Sequence, residues 1–273
     1  MDLLRSYLRW KMYLSINSIN KEYVENGENT LQDINLSVKK GEFICLIGPS
    51  GCGKSTLLRL IAGLERPTSG QILLENKIVN GNPSDERIMV FQEFALYPWL
   101  NVAENVMFGL DLKGYSKKTR QGIAEKYLKM VKLWNYRDYY THQISGGMKQ
   151  RTALARALAH EGKVLLMDEP FSALDKQTIN ILREELYQIW KETQSTIIYV
   201  THSVEEAVYF ADRVVVMEDN PGRITEVINV ELPRPRNIES SDFLNVRKQI
   251  LERVFQSAKK RAASEFDAGD EHE

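Results

Sequence analysis

"GEFICLIGPSGCGKSTLLRLIAGL" (residues 41–64) decides the fold. It opens as a short β-rich apolar run, and from Lys54 it takes helical spacing that ends at Gly63. Between the two, Gly48, Gly53, Lys54 and Ser55 fit G-x-x-x-x-G-K-[ST], placed after a strand and before a helix as that pattern requires. Glycines there let backbone N–H groups close around an anion, and the positive end of the helix adds to the attraction. Lys54 supplies a point charge to nucleotide phosphates, and the Ser55 hydroxyl is a candidate Mg²⁺ ligand. Pro49, Ser50, Gly51, Cys52 and Thr56 complete the cradle.

Outward from this stretch, strands and helices alternate. Residues 12–23, 71–79, 87–92, 163–170, 195–202, 212–218 and 223–232 read as strands, and 178–193 as a helix. From about Asn101 to Ala159 the periodicity is helical, clearest over 119–134. Strands apolar on both faces alternating with helices predict a mainly parallel α/β sheet. The expected layout is an extension at 1–11, a nucleotide-binding domain over 12–235 with a helical subdomain at about 93–160, a helical extension at 236–256, and a disordered tail at 257–273.

"VLLMDEP" (164–170) sets two carboxylates at the end of a buried strand. Beside Mg²⁺, Asp168 would hold the ion's shell and Glu169 would polarise an attacking water, since phosphoryl transfer needs positioning and charge neutralisation above all. The alternative is an acidic strand end with capping duties. His202 follows another strand and either contacts the γ-phosphate or is structural. Gln92 ends a strand and could join Mg²⁺ or water to the helical block. Tyr23 could stack on a nucleobase or pack in the core. A second cradle stands at "ISGGMKQR" (144–151), where Ser145 is placed as an N-cap and Gly146 and Gly147 permit close approach of an anion to the helix 146–160.

Composition narrows the function classes. The 273 residues are 43% hydrophobic, enough for a core, and the net charge of −1 gives no sign of a nucleic-acid partner. Two close cysteines, Cys45 and Cys52, make no disulfide framework and fit a reducing cytosol. No apolar run approaches the ~18 residues that cross a bilayer, and Arg5, Arg9 and Lys11 interrupt the N-terminal segment. A cytoplasmic protein is expected, recruited to a membrane by a partner if it works there.

With the loop, "SGG", "MDEP", "SALD" and a late histidine in this order, the chain resembles the nucleotide-binding subunit of ATP-binding cassette (ABC) transporters over roughly 12–235. The resemblance implies a P-loop NTPase fold with a RecA-like core, a small antiparallel β subdomain and an inserted helical subdomain. It also makes Tyr23 the adenine-stacking aromatic, Gln92 the Q-loop glutamine, Ser145–Gly147 part of the signature motif, Ser172–Asp175 the D-loop and His202 the switch. Where the family usually has "LSGGQ", Ile144 and Met148 stand at the outer positions. Two cassettes pack head to tail in this family, so each ATP is sandwiched between one copy's loop and the other's signature. That accounts for two cradles in one chain.

A non-transport ATPase of repair or translation fits less well. Only 90 residues separate Ser55 from Ser145, leaving no room for a long coiled-coil arm, and there is one cassette. A module without turnover conflicts with Glu169 and His202. Local features, among them "LYPWLNVAENV" (96–106) and "THSVEEAVYFADRVVVMEDNPGRI" (201–224), resemble the importer group for nitrate, taurine, alkanesulfonates and related solutes, including bicarbonate and thiamine-precursor pyrimidines. "SALD" stands where that group more often has "GALD". Expected partners are a second copy, separate permease subunits and, indirectly, an extracytoplasmic solute-binding protein. The expected location is the cytoplasmic face of the membrane. Trp99, with Tyr97 and Pro98, either starts the helical core or rims a groove for a permease helix.

Overall fold

A computed structural model describes residues 13–23, 28–172 and 174–269. The chain forms two compact units, one within Met1–Asn82 and Ile198–Glu273, the other within Pro83–Ile197.

The first unit holds two sheets. In one, β1 (Leu14–Tyr23), β2 (Glu28–Val38), β4 (Ser69–Leu74) and β5 (Lys77–Ile78) lie antiparallel in the order β2-β1-β4-β5. The apolar run 71–79 is thus two strands, not one. Glu75 and Asn76 both take positive φ (48° and 65°), as a tight two-residue hairpin turn demands. In the other sheet β3 (Phe43–Ile47) runs parallel to β9 (Arg213–Glu218), and β10 (Arg223–Asn229) closes the edge antiparallel to β9. On its other side β3 neighbours β8 (Thr196–Val200). Every residue of β3 and β8 is buried, as their unbroken apolar sequences require. The Phe43 ring stacks on Phe210 at 5.1 Å and tilts against Tyr199 at 5.9 Å, both from the C-terminal part of the chain.

Helix α1 (Lys54–Ala62) follows the glycine loop and buries Leu57, Leu58, Leu60 and Ile61. It ends on Gly63 at φ 79°, a left-handed position that glycine takes at little cost.

The second unit pairs β6 (Arg87–Val90) in parallel with β7 (Val164–Asp168), with register Arg87↔Val164 to Val90↔Met167. Helices α2 (Val102–Leu112), α3 (Lys117–Met130) and α4 (Gly146–Ala159) pack on one another, and α5 (Lys176–Thr193) touches α4. Asn101 opens α2 with a complete capping box, its side chain accepting from Glu104 N and Glu104 returning the bond.

Back in the first unit, α6 (Val204–Phe210) precedes β9, and α7 runs Ser241–Gly269. The disordered tail expected from residue 257 is therefore corrected over 257–269, where the chain continues the helix. "SAKKRAASE" consists largely of good helix formers, and low hydrophobicity alone is no bar to a helix that already has its first turns. Residues 270–273 and the extension at 1–11 lie outside the described residues. Among the described residues no helix is long and apolar enough to cross a membrane.

Candidate functional site

The phosphate loop sits where β3 ends and α1 begins, so its geometry is fixed by buried elements on both sides. Gly53 is the N-cap of α1 at φ 88°, and a Cβ there would lie 2.5 Å from Leu31 Cδ2 and 3.1 Å from Thr30 O. Gly48 has the same problem against Met217 O, at 2.4 Å. Both glycines are thus required by the walls around the loop. The first turn of α1 carries no acidic residue, so its N–H end stays electropositive. Lys54 is 5% exposed, and its ammonium donates to Gly48 O (2.9 Å), Pro49 O (2.7 Å) and Cys52 Sγ (3.6 Å). A cation folded back onto the loop's own carbonyls stands at the centre of the cradle. Burial pushes the Cys52 thiol up, against the pull of Lys54, so it remains a thiol. Ser50 and Gly51 are exposed, Pro49 and Ser55 half-buried, and Thr56 buried.

The turn bearing His202 is clamped to the same β3 end. Thr201 N–H donates to Leu46 O at 3.3 Å. Thr201 Oγ1 donates to Glu206 Oε2 at 2.8 Å while accepting from Ser203 N at 3.0 Å, and Tyr199 donates to the same Glu206 oxygen. His202 itself is exposed on this pinned turn. Tyr23 ends β1, and its hydroxyl donates to Glu65 Oε2 at 2.6 Å. The phosphate loop, Tyr23 and His202 all belong to the first unit. A cleft of about 300 Å³ borders the loop, lined by Asn29, Thr30, Gly51, Asn220 and Pro221.

The second unit carries the remaining predicted residues. Asp168 ends β7, 8% exposed, and Glu169 leaves the strand at φ 45°. A non-glycine residue in that region is uncommon, and here its carbonyl is held twice, by Ser172 N–H (3.2 Å) and Ser172 Oγ (3.0 Å). Gln92 Nε2 donates to the same Ser172 hydroxyl at 3.3 Å. The structure thus joins Gln92 to the Glu169 turn through Ser172, a link that sequence spacing does not show. Asp175 caps α5, accepting from Gln177 N and Thr178 N (both 3.0 Å) and from Thr178 Oγ1 (2.7 Å). These bonds, the Thr178 hydroxyl first, hold its carboxyl below the usual aspartate range.

Ser145 caps α4 by accepting from Met148 N at 3.3 Å, and the first turn of α4 has no acidic residue. Ser145 and Gly146 are exposed, whereas Gly147 is buried, where a Cβ would meet Thr178 Cγ2 at 2.8 Å. Gly147 is therefore needed for the packing of α4 on α5.

Trp99 is 66% exposed, which removes it from the core. Tyr97 does the packing, 5.5 Å from Trp99 and 4.5 Å from Phe108 between ring centres. Two residues that sequence reasoning missed build this loop. Asn105, fully buried, accepts from Tyr97 N and donates to the carbonyls of Tyr97, Leu100 and Asn101. Arg156 donates to Phe94 O and Ala95 O and lies over the Tyr97 ring. Next to it, Leu100, Glu104, Met107, Phe108 and Arg120 line a groove of about 240 Å³.

Residues 31–172 match the protein family described as ABC transporter. The chain is 51% identical over 252 residues to an uncharacterised ABC transporter ATP-binding protein of Methanocaldococcus jannaschii, covering 92% of this chain and 94% of that one. It is 49% identical over 224 residues to the nitrate import ATP-binding protein NrtD of Synechocystis, covering 81% and 84%. Among solved structures, an ATP-binding cassette dimer in a post-hydrolysis state bound to ADP and Pi superposes with a TM-score of 0.71 at 31% identity, covering 81% of this chain and all of that one.

Proposed function

Because the chain belongs to the ABC transporter family, we propose that it is the ATP-hydrolysing subunit of an importer, energising uptake of a small anion such as nitrate, taurine or an alkanesulfonate through a separate permease. It works as two copies that sandwich two ATP, peripheral to the cytoplasmic face of the membrane, and a solute-binding protein delivers the cargo outside. One observation carries the reading. Ser145 and Gly146 stand exposed at a helix start free of acidic residues, in a chain whose other cradle already has its own cation, Lys54. A second anion site of that kind suits a triphosphate bound by another copy.

In the first cradle the backbone N–H groups of Gly48–Thr56 and the Lys54 ammonium receive the phosphates, and the Tyr23 ring takes the adenine. Approach of the γ-phosphate draws Lys54 away from Gly48 O and Pro49 O towards the developing negative charge. Glu169 orients and polarises the attacking water, with Gln92 and His202 aligning it. Asp175 belongs to the turn that faces the other copy. Ser55, Gln92 and the buried Asp168 offer hard oxygen donors of the kind that would hold Mg²⁺, which would supply charge neutralisation for phosphoryl transfer. Trp99 and the groove beside it receive a short permease helix.

The test is ATP hydrolysis by the subunit reconstituted with its permease and binding protein, against nitrate, taurine, an alkanesulfonate, bicarbonate and a thiamine-precursor pyrimidine. Stimulation by one anion is the expected result and names the cargo. Stimulation by the pyrimidine alone would move the protein to another solute, and flat turnover across the panel would sink the subgroup assignment.

A further inference from the structure

Glu65 lies just past the C-cap of α1, where Leu64 N–H and Glu65 N–H both return to Arg59 O (2.9 and 3.4 Å). The helix therefore sets its position. Its carboxylate gathers partners from two elements. Tyr23 Oη donates at 2.6 Å and Arg59 Nη1 at 3.2 Å, and Lys21 Nζ stands 3.7 Å away. Burial works against the charge on Glu65, but the hydrogen bonds from Tyr23 and Arg59 and the two cations outweigh it, leaving its pKa below the ordinary glutamate value. Burial, then the bond to Glu65, pushes the Tyr23 hydroxyl up, so it stays a donor. Lys21 also donates to Arg66 O at 3.1 Å, and its ammonium sits 4.6 Å from the centre of the Tyr23 ring. The tip of the ring and one of its faces are thus both tethered.

We propose that Glu65 is a positioning residue for nucleotide binding, holding the Tyr23 ring in the orientation on which adenine stacks, with Lys21 covering the opposite face. This rests on the reading of Tyr23 as the base-stacking aromatic. A ring fixed before the base arrives loses no rotamer freedom on binding, which is the physical benefit of preorganisation. A cation on one face also fixes which face the base takes.

The full-length chain tests this by calorimetric Kd for MgATP and for inorganic triphosphate, which has no base, with steady-state kcat alongside. Glu65→Ala is expected to weaken MgATP about two- to tenfold, the range that an aromatic stacking contact spans. The loss should fall on Kd rather than kcat and should leave inorganic triphosphate binding unchanged. Tyr23→Phe should weaken MgATP similarly, and Glu65→Ala added to it should cost nothing more. Glu65→Gln keeps an acceptor for the hydroxyl and should recover most of the affinity. If Glu65→Ala does not fold, Tyr23→Phe, which breaks the same bond from the other side, carries the test, and a wild-type Kd for it would overturn the positioning role. A wild-type Kd for Glu65→Ala, while Tyr23→Ala binds poorly, would overturn the positioning role alone. So would equal losses for triphosphate and ATP. A wild-type Kd for Tyr23→Ala would instead overturn the stacking reading and this inference with it.

Discussion

Glu169 adopts φ 45°, which costs a residue with a Cβ about 1–2 kcal/mol, and Ser172 repays part of that with two bonds to its carbonyl. The arrangement turns the chain sharply at the end of β7, directly after buried Asp168. Replacing the carboxylate without changing its shape isolates its chemistry. Glu169→Gln should lower single-turnover phosphate release roughly 10²- to 10⁴-fold, the range for a positioned acid–base group, while MgATP binding measured by calorimetry is retained. Parallel loss of binding would argue that Glu169 supports the fold rather than the reaction. The pair Asp168–Glu169 was legible because motif and strand are contiguous. The Ser172 bridge was not, since it brings together positions 80 residues apart that no local spacing relates.

At the scale of elements, the loop 94–101 is held by Asn105 from α2 and Arg156 from α4. Asn105→Ala takes away the acceptor of Tyr97 N–H and the donor to Leu100 O, while Tyr97 O and Asn101 O keep backbone donors. It should therefore destabilise the protein by roughly 1–3 kcal/mol, read from urea denaturation. Trp99→Ala, at a 66% exposed position, should change stability by less than about 0.5 kcal/mol. Its effect should appear instead as weaker co-purification with the permease at unchanged ATP affinity. A drop in stability comparable to that of Asn105→Ala would return Trp99 to a packing role. The period of α2 was readable from its apolar spacing, but the assignment of Asn105 was not. A polar residue on a helix reads as solvated until the loop that needs it is seen. β2 escaped for another reason. Ile34, Leu36 and Val38 alternate as a strand should, yet Asp33 takes φ 47° and the pairing with β1 slips there, which hides the period.

For the whole molecule the question is how many copies act. Glu169→Gln protein at saturating MgATP should elute as a dimer in size-exclusion chromatography. Adding Ser145→Arg, which places a long side chain at the exposed start of α4, should return it to a monomer with MgATP affinity unchanged. A persistent dimer would place the contact elsewhere. Two glycine-bearing helix starts were plain in the sequence; what the second unit does with Gly147 was not. The position was read for its approach to phosphate, and burial against Thr178 emerged only from the packing of α5. Arg236 is a similar case. Within the polar segment after β10 it is 6% exposed, its guanidinium donating to the carbonyls of Val208, Ala211 and Val230. A charge in such a stretch looks like a surface residue until those carbonyls converge on it.

The start of α4 presses Gly146 towards Leu174 and Gly147 onto Thr178, the residue whose hydroxyl steadies Asp175. Close-packed interiors pass displacement along instead of absorbing it. The two helix beginnings therefore behave as a single rigid corner. The exposed serine at the start of α4 and the turn containing Ser172, which braces the Glu169 carbonyl, thus lie at one packed corner. A substitution at either helix start is therefore expected to disturb the other.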